Sequence, residues 1–222
     1  MTSNESKLIN FIETEYSCFL DSISEMSKNG KNLFIDMDCR FVHLDKIPML
    51  TESGEVESSC FSVDTIIYCS NNDCLYLVEF KEGWPKRDSA NELRFKCYDT
   101  LSKLIRTWTS NIGSRSDFFN LKIKYVVITR APMKNLDENG RANISFLDVL
   151  NTSQSFFKLQ VLKKTYVDDV RVLVEDDKIF NFLSRVTNQH SMNYYHKGQR
   201  ARTEWRKSPP LGVSSNTIPL CS

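Results

Sequence analysis

The sequence is short of several things, and each shortage excludes something. Only seven of 222 residues are glycine and six are proline, too few for a collagen-like or Pro/Gly-rich low-complexity chain. No apolar run reaches the roughly 18 residues that a membrane span needs. The start, MTSNESKLIN, has no cationic stretch leading into an apolar one, so neither a span nor a secretory leader is expected. Seven cysteines are scattered without a Cys-x-x-Cys pair, and three histidines lack zinc-ligand spacing. Free thiols in a reducing, cytoplasmic setting follow, rather than a disulfide framework or a zinc site. Net charge is nearly absent too: 29 Lys and Arg against 28 Asp and Glu leave +1. That excludes a protein holding nucleic acid by bulk positive charge alone.

The small net charge hides unlike parts. Residues 190–222 carry five basic residues and one acidic, which leaves 24 basic and 27 acidic in residues 1–189. Apolar periodicity also stops near His190. The chain therefore reads as one domain over 1–189 and a flexible basic tail over 190–222.

Within the domain, Leu8, Ile12, Tyr16, Phe19, Ile23 and Met26 recur at three and four, which predicts one helix over 4–28 with Thr2 and Glu5 as its cap pair. Leu33–Leu44 reads as a strand. Cys60–Cys69 and Cys74–Lys81 read as two strands joined at Ser70–Asp73, where asparagine tolerates the left-handed backbone of a tight turn. Ser89 and Glu92 then cap a second helix carrying Leu93, Cys97, Leu101, Leu104, Trp108 and Ile112. Leu121–Arg130 is a strand apolar on both faces, as in a sheet interior. Further strands are expected over Phe156–Leu162 and Val170–Val174, and a last helix over Asp177–Thr187. Helices flanking a mixed sheet make the class α/β.

The hairpin carries the chemistry. A turn centred between Asn71 and Asn72 sets Asp64 directly opposite Glu79, and alternation puts Lys81 on the same face. Two opposed carboxylates at the end of an apolar face repel and are poorly solvated. A divalent cation offsets that conflict, since Mg²⁺ takes carboxylate oxygens and shares its shell with substrate phosphate. Were these carboxylates incidental to a partner-binding scaffold, both would be exposed and unconverged.

A hairpin bearing Asp64, then Glu79-Phe80-Lys81 fifteen residues on, between an N-terminal helix and a second helix, resembles the PD-(D/E)XK nucleases, the restriction-endonuclease-like phosphodiesterases. The resemblance covers roughly Asn4 to Arg130. It implies a restriction-endonuclease-like α/β/α sandwich with a central mixed sheet. It implies Mg²⁺, with Mn²⁺ as substitute, held by Asp64 and Glu79, and a Lys81 that assists the attacking water. The family often adds a glutamate from the first helix, for which Glu15 is the candidate, with Glu13 as its rival. Val63 stands where the family usually has proline. Arg94-Phe95-Lys96-Cys97-Tyr98 keeps the tyrosine of one branch's Gln-x-x-x-Tyr but has arginine for its glutamine. Arg94 and Lys96 on that helix are the expected contacts to nucleic-acid phosphates. The expected function is a metal-dependent nuclease cutting DNA in preference to RNA, with a homodimer compatible with the family's habit. The alternative is a nuclease-fold protein that no longer cleaves and serves as a nucleic-acid-binding or complex-forming subunit.

Overall fold

The computed structural model describes residues 2–47, 49–50, 56–57, 61–84, 89–130, 157–196 and 199–205. Ser3 caps the first helix, α1 (Asn4–Glu15), by accepting from the backbone N–H of Ser6. The expected cap pair of Thr2 and Glu5 is not used. Glu5 is buried and its carboxylate accepts from the N–H of Lys122 instead, tying α1 to the sheet.

The single helix expected over 4–28 is broken. A 3-10 turn at Ser17–Phe19 is followed by β1 (Leu20–Ser22) and α2 (Ile23–Met26). Apolar spacing persists across the break. However, β1 pairs antiparallel with the distant β3 (Arg40–Val42), and Ser22 caps α2 through the N–H of Glu25, so tertiary pairing overrides the local period. The strand expected over 33–44 is likewise divided into β2 (Ile35–Asp36) and β3. A short ribbon of β4 (Met49–Leu50) and β5 (Val56–Glu57) follows.

The central sheet has the order β6 (Thr65–Cys69), β7 (Cys74–Lys81), β8 (Ile123–Thr129), β9 (Asp169–Leu173). β6 and β7 are antiparallel and the other two pairs are parallel. The parallel step from β7 to β8 needs a long crossover, which α3 (Ser89–Asn111) and α4 (Arg115–Phe118) supply. α5 (Asp176–Thr187) follows β9. The strand expected over Phe156–Leu162 is instead a 3-10 turn at Leu159–Leu162, with Phe156 outside the described residues.

Alternation along the strands feeds two cores. Ile66, Leu75, Leu77, Tyr125 and Val127 face α1 and α3, packing with Leu8, Ile12, Leu93 and Leu104. Ile67, Tyr76, Val78, Val126 and Ile128 face the other way, toward Ile179 and Leu183 of α5. The protein is thus a mixed α/β structure with helices on both faces of a central mixed sheet. No helix among the described residues is long and apolar enough to cross a membrane. The five described cysteines are free thiols.

The reading of 190–222 as a flexible tail is corrected over its first part. β10 (Ser191–His196) and β11 (Gln199–Trp205) form an antiparallel hairpin, and β10 also pairs with β2. Met192 and Tyr194 point inward and are essentially buried in the second core. Two inward side chains on an otherwise polar strand give only a weak alternation, which is why the segment looks featureless as sequence.

Candidate functional site

The site forms at the open end of the β6–β7 hairpin. The observed register pairs Thr65 with Val78 and Cys69 with Cys74, which is the register expected from the Asn71–Asn72 turn. Asp64, one residue before β6, is therefore directed at Glu79. At this point the strands part. Val63 donates its N–H to the buried Thr100 hydroxyl of α3 at 2.9 Å rather than to β7. Phe80 is left needing an acceptor, and Asp64 supplies one from its side chain, with Oδ2 2.6 Å from the Phe80 nitrogen. The carbonyl of Asp64 accepts from Leu44 N–H at 2.9 Å. Backbone and side chain of Asp64 are thus fixed from both sides.

Glu79 is fully buried and Asp64 is 8% exposed. This is not the solvated pair that incidental carboxylates would make. Lys81 and Lys96 converge on Glu79: the Lys81 Nζ lies 3.1 Å from Oε1, and the Lys96 Nζ lies 2.9 Å from Oε1 and 3.1 Å from Oε2. The Oε2 contact has hydrogen-bond geometry. Oε1 is held by charge contact without a well-aligned hydrogen bond from Lys96 or Lys81. Lys81 also meets Glu92 of α3 at 3.0 Å, so the glutamate expected to cap α3 is spent on the site. Lys96 reaches Asp45 Oδ2 at 3.4 Å.

The electrostatics follow from burial. Desolvation, and then the Glu79 charge, hold the Asp64 carboxyl well above the ordinary carboxylate range. Burial also raises Glu79, against the pull of Lys96 and Lys81. Burial, the largest influence on each, would lower both lysines, but the carboxylates around them together hold them above the ordinary lysine value, Glu79 with Glu92 for Lys81 and Glu79 with Asp64 and Asp45 for Lys96. Both are therefore ammonium ions at neutral pH.

The structure brings Asp64, Glu79 and Lys81 together and corrects two other expectations. Glu15 and Glu13 are exposed on α1, and neither lines the cleft of about 540 Å³ that contains Asp64, Glu79, Lys81 and Lys96. Both glutamates stand in the last turn of α1, on its exposed side. Lys96 is not on a solvated, phosphate-facing helix surface either. It is 8% exposed and committed to Glu79 and Asp45. Arg94 is half-buried and donates to the Asn91 side chain. Trp84 packs obliquely on Phe157 with centroids 5.0 Å apart, half-buried and lining the same cleft.

Asp45 and His43 were not anticipated. Both follow β3, which the His43–Thr65 bridge lays beside the edge strand. Ligand atoms of His43, Asp45 and Asp64 lie within 4.8 Å of one another. The His43 Nδ1 is 2.7 Å from Asp21 Oδ2, an outer carboxylate that orients the ring. No local signal marks Asp45, since its place depends on how β3 meets β6. Lys96 does have a signal: it falls within the stripe Leu93, Cys97, Thr100 and Leu104 that α3 turns inward.

The donor set fits a hard divalent cation. Asp64 Oδ1 accepts no hydrogen bond from any described residue, and Asp45 offers a carboxylate oxygen and His43 a ring nitrogen within 4.8 Å of an Asp64 ligand atom, while Glu79 is outside that group and is joined to Asp45 through Lys96. Oxygen donors of this kind suit Mg²⁺ or Mn²⁺. Comparison with protein-family models, curated proteins and solved structures finds no match for this chain.

Proposed function

We propose that the protein is a divalent-metal-dependent nuclease of the PD-(D/E)XK type, with a restriction-endonuclease-like fold, hydrolysing phosphodiester bonds in DNA in preference to RNA. The observation that carries this reading is the convergence of Asp64, Glu79 and Lys81 at one hairpin end, with both carboxylates buried and raised. A buried, mutually repelling acid pair is costly to a fold and is characteristic of functional sites.

Asp64 and Glu79, with Asp45 in the place expected of Glu15, would hold Mg²⁺ or Mn²⁺. When bound, the ion supplies positive charge against the scissile phosphate and lowers the pKa of water. Lys81 is a quarter exposed, so its ammonium reaches the cleft while staying tied to Glu79 and Glu92. As an ammonium it acts as a donor: it orients the attacking water or stabilises charge developing on a phosphate oxygen. Water adds to phosphorus and gives up a proton, one P–O ester bond breaks, and the leaving oxygen takes up a proton, so the products are a phosphate monoester and a free hydroxyl. Arg94 stands on α3 in reach of solvent as a supporting phosphate contact.

The test is incubation of the protein with plasmid, linear duplex and single-stranded oligonucleotides in Mg²⁺, Mn²⁺ and EDTA, beside Asp64→Asn and Lys81→Ala. Metal-dependent cleavage lost in both variants supports the reading, and cleavage that persists in both overturns the assignment. A second reading, a nuclease-fold protein that binds nucleic acid without cutting it, draws on one observation: Lys96 already contacts both oxygens of Glu79. Wild-type binding without cleavage in either metal would favour it.

A further inference from the structure

We infer that Lys96 is a resident counter-ion of the site, an ammonium that neutralises the Glu79 carboxylate a divalent cation needs and must withdraw for that cation to bind. The inference rests on the metal-site reading above and goes further, by naming what the metal competes with.

Three observations carry it. First, Lys96 touches both Glu79 oxygens, hydrogen-bonded to Oε2 at 3.1 Å and in charge contact with Oε1 at 2.9 Å, so a cation approaching either oxygen meets the ammonium. Second, the same ammonium lies 3.4 Å from Asp45 Oδ2. It therefore spans two of the three carboxylates that would surround an ion. Third, Lys96 is buried on α3, whereas Lys81 is anchored outside the cluster by Glu92. The two lysines thus differ in kind. Lys81 keeps a second partner if Glu79 is taken from it. Among the described residues, the charged partners of Lys96 are carboxylates of the site.

A buried carboxylate without a counter-charge is strongly destabilising. Lys96 relieves that cost while no divalent ion is present, and an arriving ion makes the ammonium superfluous and repels it. The side chain is long enough to swing into the cleft, where its charge faces incoming phosphate. Divalent binding and exposure of a phosphate-facing cation are then coupled at one residue.

The test compares wild type, Lys96→Gln and Lys96→Arg for Mn²⁺ binding, read by loss of the free-ion EPR signal, and for melting temperature in EDTA and in Mn²⁺. Lys96→Gln should bind Mn²⁺ about tenfold or more tightly than wild type. Lys96→Arg, which keeps the charge, should stay near wild type. Lys96→Gln should also melt lower in EDTA and regain the difference in Mn²⁺. If it folds only in Mn²⁺, the ion has replaced the ammonium and the inference holds. Mn²⁺ binding that is unchanged or weaker in Lys96→Gln, or equally tightened in Lys96→Arg, overturns it. A second measurement uses unmodified protein: acetylation of Lys96 by an amine-reactive reagent, followed by mass spectrometry, should rise when Mn²⁺ is added, and an unchanged rate overturns the proposal. The outcomes separate from those of the nuclease reading. Tighter Mn²⁺ binding in Lys96→Gln without cleavage by any form keeps this inference and removes the nuclease. Cleavage that depends on Asp64, with metal affinity indifferent to Lys96, does the reverse.

Discussion

The β6–β7 hairpin carries an aspartate at each extremity, and the two are held in opposite ways. Asp73 sits at the turn with a left-handed φ of 48°. Its Oδ1 accepts from the hydroxyls of Ser3, at 2.6 Å, and Tyr68, at 2.9 Å. Those bonds, led by the one from Ser3, hold its carboxyl below the usual range. Asp64, at the open end, is buried against Glu79 and held well above that range. Both belong to one supersecondary unit of fifteen or so residues. The turn aspartate contributes to the fold by pinning the start of α1. The site aspartate is carried by the fold at a cost, relieved by Phe80 N–H and nearby ammonium groups. The proposed metal site would account for a carboxylate placed where it costs the fold stability.

Four measurements bear on that contrast. The largest effect expected is on cleavage. Asp64→Asn should lower any metal-dependent nuclease rate by about a thousandfold, and Asp73→Ala should leave the rate per folded molecule unchanged. Comparable losses in both would erase the distinction between the two ends. Next comes the stability of the turn. Asp73→Ala loses two charge-assisted hydrogen bonds and places alanine at a left-handed φ, so urea denaturation should show a loss of about 1–2 kcal/mol. Smaller, and of opposite sign, is the effect at the site. In EDTA Asp64→Asn should gain about 1 kcal/mol, because the amide oxygen still accepts from Phe80 while the buried charge is gone. Destabilisation by this isosteric change would sink the claim that Asp64 is held at a cost.

The last expected effect is a difference in pH windows. Asp73 has a lowered folded pKa, so its contribution is present above the ordinary carboxylate value and is lost as pH falls through the lower, folded one. The Asp64–Glu79 pair has raised folded pKa values and titrates jointly. Its protonated form is favoured in the fold, so stability from it is fully present below the ordinary value and is lost as pH rises through the folded one. The advantage of Asp64→Asn should therefore fade on acidification at a higher pH than the deficit of Asp73→Ala does. Melting curves of the three proteins across the acid range read both windows. Fading in one common window would contradict the opposite signs.

The same hairpin was the most legible part of the sequence, and the reason is physical. Its strands are neighbours in the chain, both faces are apolar, and a short turn fixes the register, so opposing Asp64 to Glu79 needs only counting. α3, β8, β9 and α5 were legible on similar grounds. What failed depended on distant partners. The α1 period runs on past Glu15, but β3 captures Leu20–Ser22 as a strand. The β10–β11 hairpin offers Met192 and Tyr194 and little else, so its order comes from β2 and the core beneath. In the site, Asp64, Glu79 and Lys81 were read through strand geometry. Asp45 arrives on a segment whose path is set by tertiary contact, and Glu15 misses the site because it lies on the exposed side of the last turn of α1. Lys96 sits inside the apolar stripe of α3, 8% exposed, where a lysine's charge ordinarily marks a solvent-facing position.

The bond from Phe80 N–H to Asp64 has a spectroscopic consequence. That amide is a backbone group whose proton points at the Asp64 carboxylate, 2.6 Å away between heavy atoms. Its proton chemical shift and solvent-exchange rate will follow whatever happens to the charge on Asp64, whether protonation, substitution or the arrival of a ligand. A single assigned resonance at Phe80 thus gives the protein an internal indicator of site occupancy, readable without substrate and without a label in the cleft.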